Sequence, residues 1–523
     1  MKKRLFAVAA ASTLLVVIPL AALPADALAS GSTLYVNGSG TATTGCTQAS
    51  PCETIGEALS EAHTQNASTP GSVTTISIAG SNGSFNGIYC EQLTVDDNLT
   101  LIAADPTNQP VVDGGGSGSS CTGETAGTSV VTIGADGNAY TVTIQSLTIQ
   151  NGDASTDSNN QGEGGGAAIL NGSTLTLNSS TVTTSVGCSA AGCATSGGSG
   201  GGIYVGVGST LVLDASTVSH NSGCAGAVCT SGYGGGIYSD YSGVVDATNS
   251  TIANNIACDT TAACAGTNPA EGGGLYFFQS YGSMVNATVS ANTACGTGTC
   301  SGQGGGFFTD AGNLTLSNSI LDGNGTSDSS GNCSPSNSVS DGQPNGTDVV
   351  GNNVVGSGCG LTNGTNGDKV GVNAGLARLG RYGGPTPTMG VHTGTPAVDA
   401  GDATTCQYAT VFDFADSPFP GPNGVDQRGV DRNATTRGTC DAGAYDAGSD
   451  TVTASTYSHL TVRRAHGETI IRWRSKTRQA GFNVFKHAHR LNRRLVTSKD
   501  GKYRFITKVK VKHPHLMPVG LHG

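Results

Sequence analysis

Along most of this chain, short apolar positions alternate one by one with Ser, Thr and Asn, and runs of three glycines interrupt the alternation at near-regular intervals. The triplets begin at Gly164, Gly200, Gly234, Gly272 and Gly304, giving spacings of 36, 34, 38 and 32 residues. That spacing is too regular for unrelated loops and too variable for a coiled coil, so it describes stacked structural repeats, one repeat forming one coil of a solenoid. The period of two between the triplets makes the repeating unit a set of strands.

Within the repeats the columns say which way side chains point. Ile203 with Tyr204, Ile237 with Tyr238, Leu275 with Tyr276, and Phe307 with Phe308 follow the triplets, and neighbours on a strand face opposite sides. The first column is assigned to the core, because Ile, Leu and Phe fill a dry interior without an unmet hydroxyl, whereas Tyr carries a polar end. The glycines supply a tight corner or a close approach of another segment. Leu175 with Leu177, Leu211 with Leu213, and Leu314 with Leu316 mark a second strand, and Val182, Val218, Ile252 and Val289 a third. Four residues beyond Thr217, Thr251, Thr288 and Ile320 stand Asn221, Asn255, Asn292 and Asn324, with Ser185 at the matching place in the first repeat. Asn tolerates left-handed backbone, and stacked amides bond to the coils above and below. Three strands per coil with an Asn turn predict an all-β fold, a right-handed parallel β-helix.

The period changes once near the beginning. From Cys52 to Gln65, Ile55, Ala58, Leu59 and Ala62 recur at helical spacing with Glu53, Glu57 and Glu61 on the other side, which predicts one amphipathic helix covering the open first coil. After it, Thr75 to Ala79, Gln92 to Val95, Leu99 to Ala103 and Val130 to Ile133 read as short strands. Ahead of it, Lys2, Lys3 and Arg4 precede an apolar run from Leu5 to Leu23 and small residues at Ala25, Ala27 and Ala29, the three parts of a secretory signal over residues 1–29. Removal of that signal leaves no membrane span, and the expected location is secreted or at the cell surface.

Export gives sixteen cysteines a meaning, since disulfides persist outside the cytosol. In order they form eight neighbouring couples: Cys46 with Cys52, Cys90 with Cys121, Cys188 with Cys193, Cys224 with Cys229, Cys258 with Cys264, Cys295 with Cys300, Cys333 with Cys359, and Cys406 with Cys440. Four couples occupy the same place in successive repeats, where bridges between adjacent coils, such as Cys193 to Cys224, are the alternative. The couples lack the paired spacing of zinc ligands, so neither a metal nor a cofactor is expected.

The patterns G-G-x-I-Y, here Gly200 to Tyr204, and N-S-T-I-S-x-N, here Asn249 to Asn255 with Ala253 at the second serine, resemble those of bacterial surface β-helix proteins related to the polymorphic outer membrane protein repeats. Tyr382 to Thr388, Gly394 to Gly401, Asp426 to Gly429 and Asp441 to Tyr445 are similar to the choice-of-anchor Q domain that often closes such proteins, with Asp446 where Glu is usual. The resemblance implies a surface or secreted location and assigns no chemistry. It divides the chain into a β-helix with its N-terminal cap over 30–375, a choice-of-anchor Q-like cap over 376–448, and a basic tail over 449–523. The residues of the cap also read as a lid: Pro385 and Pro387 give extended backbone, Cys406 with Cys440 ties its ends, and Asp399, Asp426, Arg428 and Asp441 are read as paired charges and Asx turns over the last coil, with a catalytic constellation as the alternative.

Composition bears on chemistry. Gly31 to Asp368 contains no Lys or Arg against 24 Asp plus Glu. Pectate lyases share the predicted architecture, but a polyuronate lyase needs a basic residue and cations for the uronate carboxylates; only His63 and His220 are available as bases, and the acidic body repels such a polymer. A glycoside hydrolase needs two carboxylates. Asp240 and Asp310 lie two residues beyond Tyr238 and Phe308, two coils apart and separated by roughly 10 Å, near the upper end of the inverting range. Tyr204, Tyr238, Tyr276 and Phe278 are the candidates for stacking on sugar rings; the other reading makes them a structural ladder and the two carboxylates solvated surface groups. From Thr451 onward there are 16 Lys plus Arg and two acids, Glu468 and Asp500. Ile470 to Trp473, Phe482 to Phe485 and Tyr503 to Ile506 read as strands there, similar to the opening of a fibronectin type III-like module. That positive field suits anionic cell-wall polymer or the acidic body of a neighbour, while export argues against nucleic acid. His487, His489, His513 and His515 are read as solvated surface groups, with metal binding as the alternative. The sequence thus describes an exported β-helix that binds extracellular polysaccharide without catalysis, with a polysaccharide hydrolase or lyase as the alternative.

Overall fold

The computed structural model describes residues 30–69, 72–116, 118–121, 127–156, 162–189, 197–225, 231–259, 270–296, 302–325, 331–335, 339–357, 359–432, 434–447 and, in the basic region, 457–465, 468–475, 481–486, 489–490, 502–509 and 515–519. The signal segment lies outside them. The body is a parallel β-solenoid whose coils are joined by three long sheets: a ten-stranded one running from Ser30–Val36 to Val339–Asp341, an eight-stranded one from Leu93–Val95 to Cys333–Ser334, and a ten-stranded one from Ile88–Cys90 to Lys369–Val370. Every neighbouring pair within these sheets is parallel, and apart from a shift between Ser30 and Thr33 in the first pair the register is kept, so Ile203 stands over Ile237, Leu275 and Phe307.

The core is where the columns put it. Ile203, Ile237, Leu275 and Phe307 are fully buried, together with Leu175, Leu177, Leu211, Leu213, Leu314 and Leu316 from the first sheet and Val182, Val218, Ile252 and Val289 from the third. The helix spans Ile55–Ser68 and plugs the first coil with Ile55, Ala58 and Ala62. Thr54 and Glu57 form a reciprocal capping box, and the Glu91 carboxylate accepts the Ile55 and Gly56 N–H groups at 2.8 and 2.7 Å, satisfying the donors that a helix start leaves open.

Two corners explain the N-S-T-I-S-x-N motif. At the first, Ser179, Ala215, Asn249, Asn286 and Asn318 adopt left-handed backbone, and the following residue forms a serine ladder in which the Ser180 N–H donates to Ser216 Oγ and the Ser216 N–H to Ser250 Oγ. At the second, Thr184, His220, Asn254, Ala291 and Gly323 are left-handed. The residue after each is the predicted ladder: Asn221 Nδ2 donates to Asn255 Oδ1 at 3.0 Å, Asn255 to Asn292 at 2.9 Å and Asn292 to Asn324 at 3.0 Å. The ladder asparagines are therefore not themselves the left-handed residues; the strained angle falls one position earlier, leaving the amide free to point along the stack.

Among the described residues the first four repeats hold five strands each rather than three. Val186–Cys188, Ser222–Cys224, Ile256–Cys258 and Thr293–Cys295 form a fourth sheet, and Gly198–Ser199, Gly232–Tyr233, Ala270–Glu271 and Gly302–Gln303 a fifth. They enclose a small second core of Cys188, Cys224, Ala257, Cys258, Ala270, Ala294 and Cys295. The first glycine of each triplet is left-handed, with φ between 56° and 68°, and the second packs against the backbone of the fourth sheet, where a Cβ would overlap it. Bridges join Cys46 to Cys52, Cys90 to Cys121, Cys333 to Cys359 and Cys406 to Cys440. Cys193, Cys229, Cys264 and Cys300, members of the other four expected couples, lie outside the described residues.

The segment after Asp368 runs back along the flank of the solenoid as well as over its last coil. It docks on the outward threonines of the third sheet: Thr217 Oγ1 donates to the Pro387 carbonyl, Thr251 Oγ1 to Gln427 Oε1 at 2.6 Å, and the Ala444 N–H donates to Thr288 Oγ1 at 3.0 Å. Gln427 Nε2 reaches Thr217 Oγ1, Thr386 Oγ1 and two carbonyls. In the basic region six strands make two three-stranded antiparallel sheets, twice the number of apolar runs in the sequence.

Candidate functional site

The second sheet presents the aromatic column to the outside. Tyr204, Tyr238, Tyr276 and Phe308 stack ring on ring with centroids 5.5, 5.0 and 5.2 Å apart and planes within 14° of parallel. In-register strands bring identical positions to about 4.8 Å, which is the distance at which such rings meet. The faces of these rings are thus occupied by one another, and Tyr204 and Tyr276 are only 7 % exposed. What the column offers outward is ring edges and hydroxyls. Burial is the main cause that raises the phenols of Tyr204, Tyr238 and Tyr276 above their ordinary range, with neighbouring carboxylates adding to it, so they act as neutral hydrogen-bonding groups and not as bases.

Carboxylates flank the ladder on both sides. Asp240 accepts the Tyr204 hydroxyl at 2.9 Å and the Tyr241 N–H at 2.8 Å. Asp310 is exposed at the end of Phe307–Asp310 and pairs in register with Phe278; since Ser239 pairs with Phe277, Phe278 stands between the two carboxylates in the column. An apolar side chain therefore divides the pair that the sequence singles out. On the other side the residues just before each glycine triplet, Glu163, Ser199, Tyr233, Glu271 and Gln303, form a column of their own. Tyr233 meets the Tyr276 ring edge-on. Burial, followed by the charge of Asp310, pushes the Glu271 carboxyl up to about 7. Sequence reasoning passed over this column because its two acids, Glu163 and Glu271, are separated by Ser199 and Tyr233; the signal was their fixed position one residue ahead of the triplet.

Beyond Asp240 and Asp310 the chain turns toward the first sheet, and there rings are open to solvent. Tyr241 is 52 %, Tyr281 40 % and Phe414 58 % exposed. Tyr281 and Phe414 lie parallel with centroids 5.3 Å apart, Phe414 coming from the C-terminal segment. The histidines are elsewhere: His63 sits on the helix, 2.9 Å from Asp97, and His220 is at the Asn-ladder corner, where burial lowers its pKa. A surface cleft lined by Pro106, Asn108, Gln109, Arg381 and Pro385 contains no carboxylate and offers no acid and base pair. Among the described residues no group of three or more His, Cys, Asp or Glu is placed to hold a metal. The side chains of His487, His489, His513 and His515 lie outside the described residues.

The charged residues of the C-terminal segment are tied to one another. Arg428 meets Asp426 at 2.7 Å and lies 3.8 Å over the Tyr445 ring. Arg437 pairs with Asp399, and with Asp441 and Asp446 at 3.0 Å each. Arg432, Arg437 and Asp446 complete a network of which sequence reasoning named only Asp399, Asp426, Arg428 and Asp441. With the Arg428, Arg432 and Arg437 guanidinium groups bound to carboxylate or carbonyl, the arrangement fixes backbone.

One buried carboxyl sets a pH dependence. Asp246 faces outward on Val244–Thr248 but is 3 % exposed, with Oδ1 lacking a hydrogen-bond partner. The hairpin carrying Val411 and Phe419 packs onto Val212 and Val285 beside it, and burial, then the charge of Asp413, raises the Asp246 pKa well above the ordinary carboxyl range. The folded chain thus holds this proton more tightly than the unfolded chain, so stability is greatest at low pH and is lost as pH rises. Asp214, raised to about 6, and Glu271 have the same sign; Asp113 and Asp399, held low, titrate below this window. Thermal unfolding followed from pH 5 to pH 8 is expected to give a falling midpoint whose slope flattens in Asp246→Asn. Comparing the two proteins isolates this carboxyl from His220, which carries the opposite slope.

Compared with protein-family models, with curated proteins and with solved structures, the chain matches none. The functional reading therefore rests on the geometry itself.

Proposed function

We propose that this protein is exported and binds extracellular polysaccharide at the corner formed by Tyr241, Phe278, Tyr281 and Phe414, without cleaving it. The observation that carries the reading is the set of open rings beside Asp240 and Asp310 on a solenoid with no Lys or Arg between Gly31 and Asp368. Sugar rings bind through their C–H faces to open aromatic faces and through hydroxyls to carboxylates, and such a surface prefers neutral or amino-bearing glycans over uronates. Tyr204, Tyr238 and Tyr276 act in this reading as the rigid support of the corner, with their hydroxyl edges as secondary contacts. The stapled coils and the absence, among the described residues, of any helix long and apolar enough to cross a membrane suit a secreted or surface-held protein. Within the same proposal, residues 1–29 are the export signal, the repeats are of the polymorphic outer membrane protein type, residues 376–448 are a choice-of-anchor Q-like cap, and the basic tail holds anionic wall polymer.

Pull-down on insoluble neutral and amino polysaccharides is expected to retain the protein, and Tyr281→Ala combined with Phe414→Ala to weaken retention about tenfold or more while leaving the melting temperature nearly unchanged. Loss of two open stacking contacts at roughly 1 kcal/mol each gives that order of change. Equal retention of the double variant overturns the assigned surface.

A hydrolase is the second reading, favoured by one observation: Glu271, raised to about 7, stands where the Asp310 charge is felt, as in a general acid beside an ionised partner. New reducing ends on any of these glycans, removed by Glu271→Gln, Asp310→Asn or Asp240→Asn, decide for it.

A further inference from the structure

In the basic region the sheet made by Tyr457–Ala465, Glu468–Ser475 and Lys502–Thr507 has two unlike faces. Successive residues of a strand point to opposite sides, and residues paired across strands share one. Thr469, Ile471 and Tyr503 are buried on the first face. Ile470, Arg472 and Arg474 alternate with them onto the second, where the register sets Arg504 opposite Arg472 and places Arg463 and Ile506 on either side of Ile470. Arg463, Arg472, Arg474 and Arg504 are exposed there, and Ile506 is 41 % exposed.

Such a face is unfavourable in isolation. Like charges directly opposite one another weaken a strand pair, and among the described residues none of these four guanidinium groups is in an ion pair. Glu468, at the end of the same face, sets one carboxylate against the four. The missing counter-charge has to come from a ligand.

We propose that this face holds a linear phosphodiester polymer with an aliphatic backbone, of the polyol phosphate class. The assignment rests on the reading that the basic tail holds anionic wall polymer, and gives that reading its face and its ligand. Arginine presents a planar fork that two phosphate oxygens fill, which a point charge does not reproduce. Arg472 and Arg474 stand two strand residues apart, about 7 Å, a span that one extended glycerol phosphate unit covers. The carbons between phosphates then lie on Ile470 and Ile506. Polyuronates and nucleic acids suit the face less, because sugar rings and bases bind to open aromatic faces, whereas its exposed apolar side chains are aliphatic. The acidic solenoid of a second copy is also a poorer occupant: Asp105, Asp113, Asp136, Asp153 and Asp240 already accept donors from the solenoid itself.

Fluorescence anisotropy of the full chain with labelled poly(glycerol phosphate), repeated at increasing NaCl concentration, tests it. Four phosphate contacts on a single-stranded polyanion are expected to give a slope of log affinity against log salt of roughly −3, falling to roughly −1.5 when Arg472→Gln is combined with Arg504→Gln. The same double variant is expected to melt at or above the wild type, since the opposed charges are gone. Arg472→Lys with Arg504→Lys keeps the slope and binds more weakly, because charge is retained and the fork is lost. Equal binding by the wild type and the Gln variant overturns the face while leaving the basic tail its anionic polymer; no binding by either overturns both. A Gln variant that melts far below the wild type gives the arginines a structural role and overturns the proposal as well. Single-stranded DNA or polygalacturonate held as tightly as poly(glycerol phosphate) overturns the ligand class, and self-association at low salt that the Gln variant abolishes assigns the face to a second copy instead.

Discussion

Replacing Arg432 by Met is expected to lower the stability of the folded chain by about 3–5 kcal/mol, the usual cost of removing one partner from a buried charge network. Arg432 is fully buried. Nε donates to the Val425 carbonyl at 2.9 Å, Nη1 to the Asp441 carbonyl at 3.2 Å, and Nη2 to the Gly443 carbonyl at 3.0 Å and Asn249 Oδ1 at 2.8 Å. Its guanidinium lies 3.9 Å from Asp446 and feels the charges of Asp426 and Asp441 as well, none of the three more than 1 % exposed. A Met of similar length fills the volume but leaves four acceptors unmet and three carboxylates shared between Arg428 and Arg437. Lys restores the charge but not the planar fork, so Arg432→Lys is expected to recover only part of the loss. Urea unfolding checks this. Because Asn249 belongs to the solenoid and the other partners to the C-terminal segment, the damage is expected first as an early transition with a small m-value, in which the segment leaves the flank, followed by unfolding of the solenoid. A single transition shifted by less than about 1 kcal/mol would falsify the role given to Arg432.

That network also shows where sequence reasoning reaches and where it stops. The glycine spacing, the apolar columns and the face of the capping helix were legible because each is a local periodicity enforced by the pitch of one coil. The Asn column was legible for the same reason, although its backbone role belongs to the residue before it. The fourth and fifth sheets were not, because Val186–Cys188 and Gly198–Ser199 are built from Gly, Cys, Ser and a single Val, and their core is closed by sulfur and Ala methyls rather than by an alternating apolar run. Arg432 was missed because its one solenoid partner, Asn249, is 183 residues away. Of the candidate site, the ladder was readable as a column, while the open rings were not: Tyr241, Tyr281 and Phe414 share no repeat position, and exposure is a property of the assembled surface. The placement of the C-terminal segment on Thr217, Thr251 and Thr288 follows from unpaired hydroxyls that a strand pattern leaves unspecified.

Asn255→Ala tests the register itself, with an expected loss of about 4 kcal/mol. Asn255 is fully buried. Its Oδ1 accepts both the N–H and the Nδ2 of Asn221 at 3.0 Å, and its Nδ2 donates to the Val218 carbonyl at 3.0 Å and to Asn292 Oδ1 at 2.9 Å. Alanine leaves the Asn221 N–H without a partner inside a dry corner and removes the amide donor from the Val218 carbonyl; an orphaned buried group costs about 1–3 kcal/mol, and the lost amide bonds add to it. Asn221 Nδ2 keeps Val182 and Asn292 Oδ1 keeps the Asn255 N–H, so the defect stays local to two coils. Serine is the informative control: Ser185 Oγ accepts the Gly152 N–H at 3.2 Å at the start of this same column, and Asn255→Ser is therefore expected to retain the acceptor, lose only the donor, and fall between wild type and alanine. Stability in a solenoid is nearly a sum of coils and the contacts between neighbours. A weakened junction in the middle divides that sum, so calorimetry of Asn255→Ala should show two unfolding steps where the wild type shows one for the solenoid. If the alanine variant melts in one step at the wild-type temperature, the amide stack is packing decoration and the register is held by the apolar columns alone.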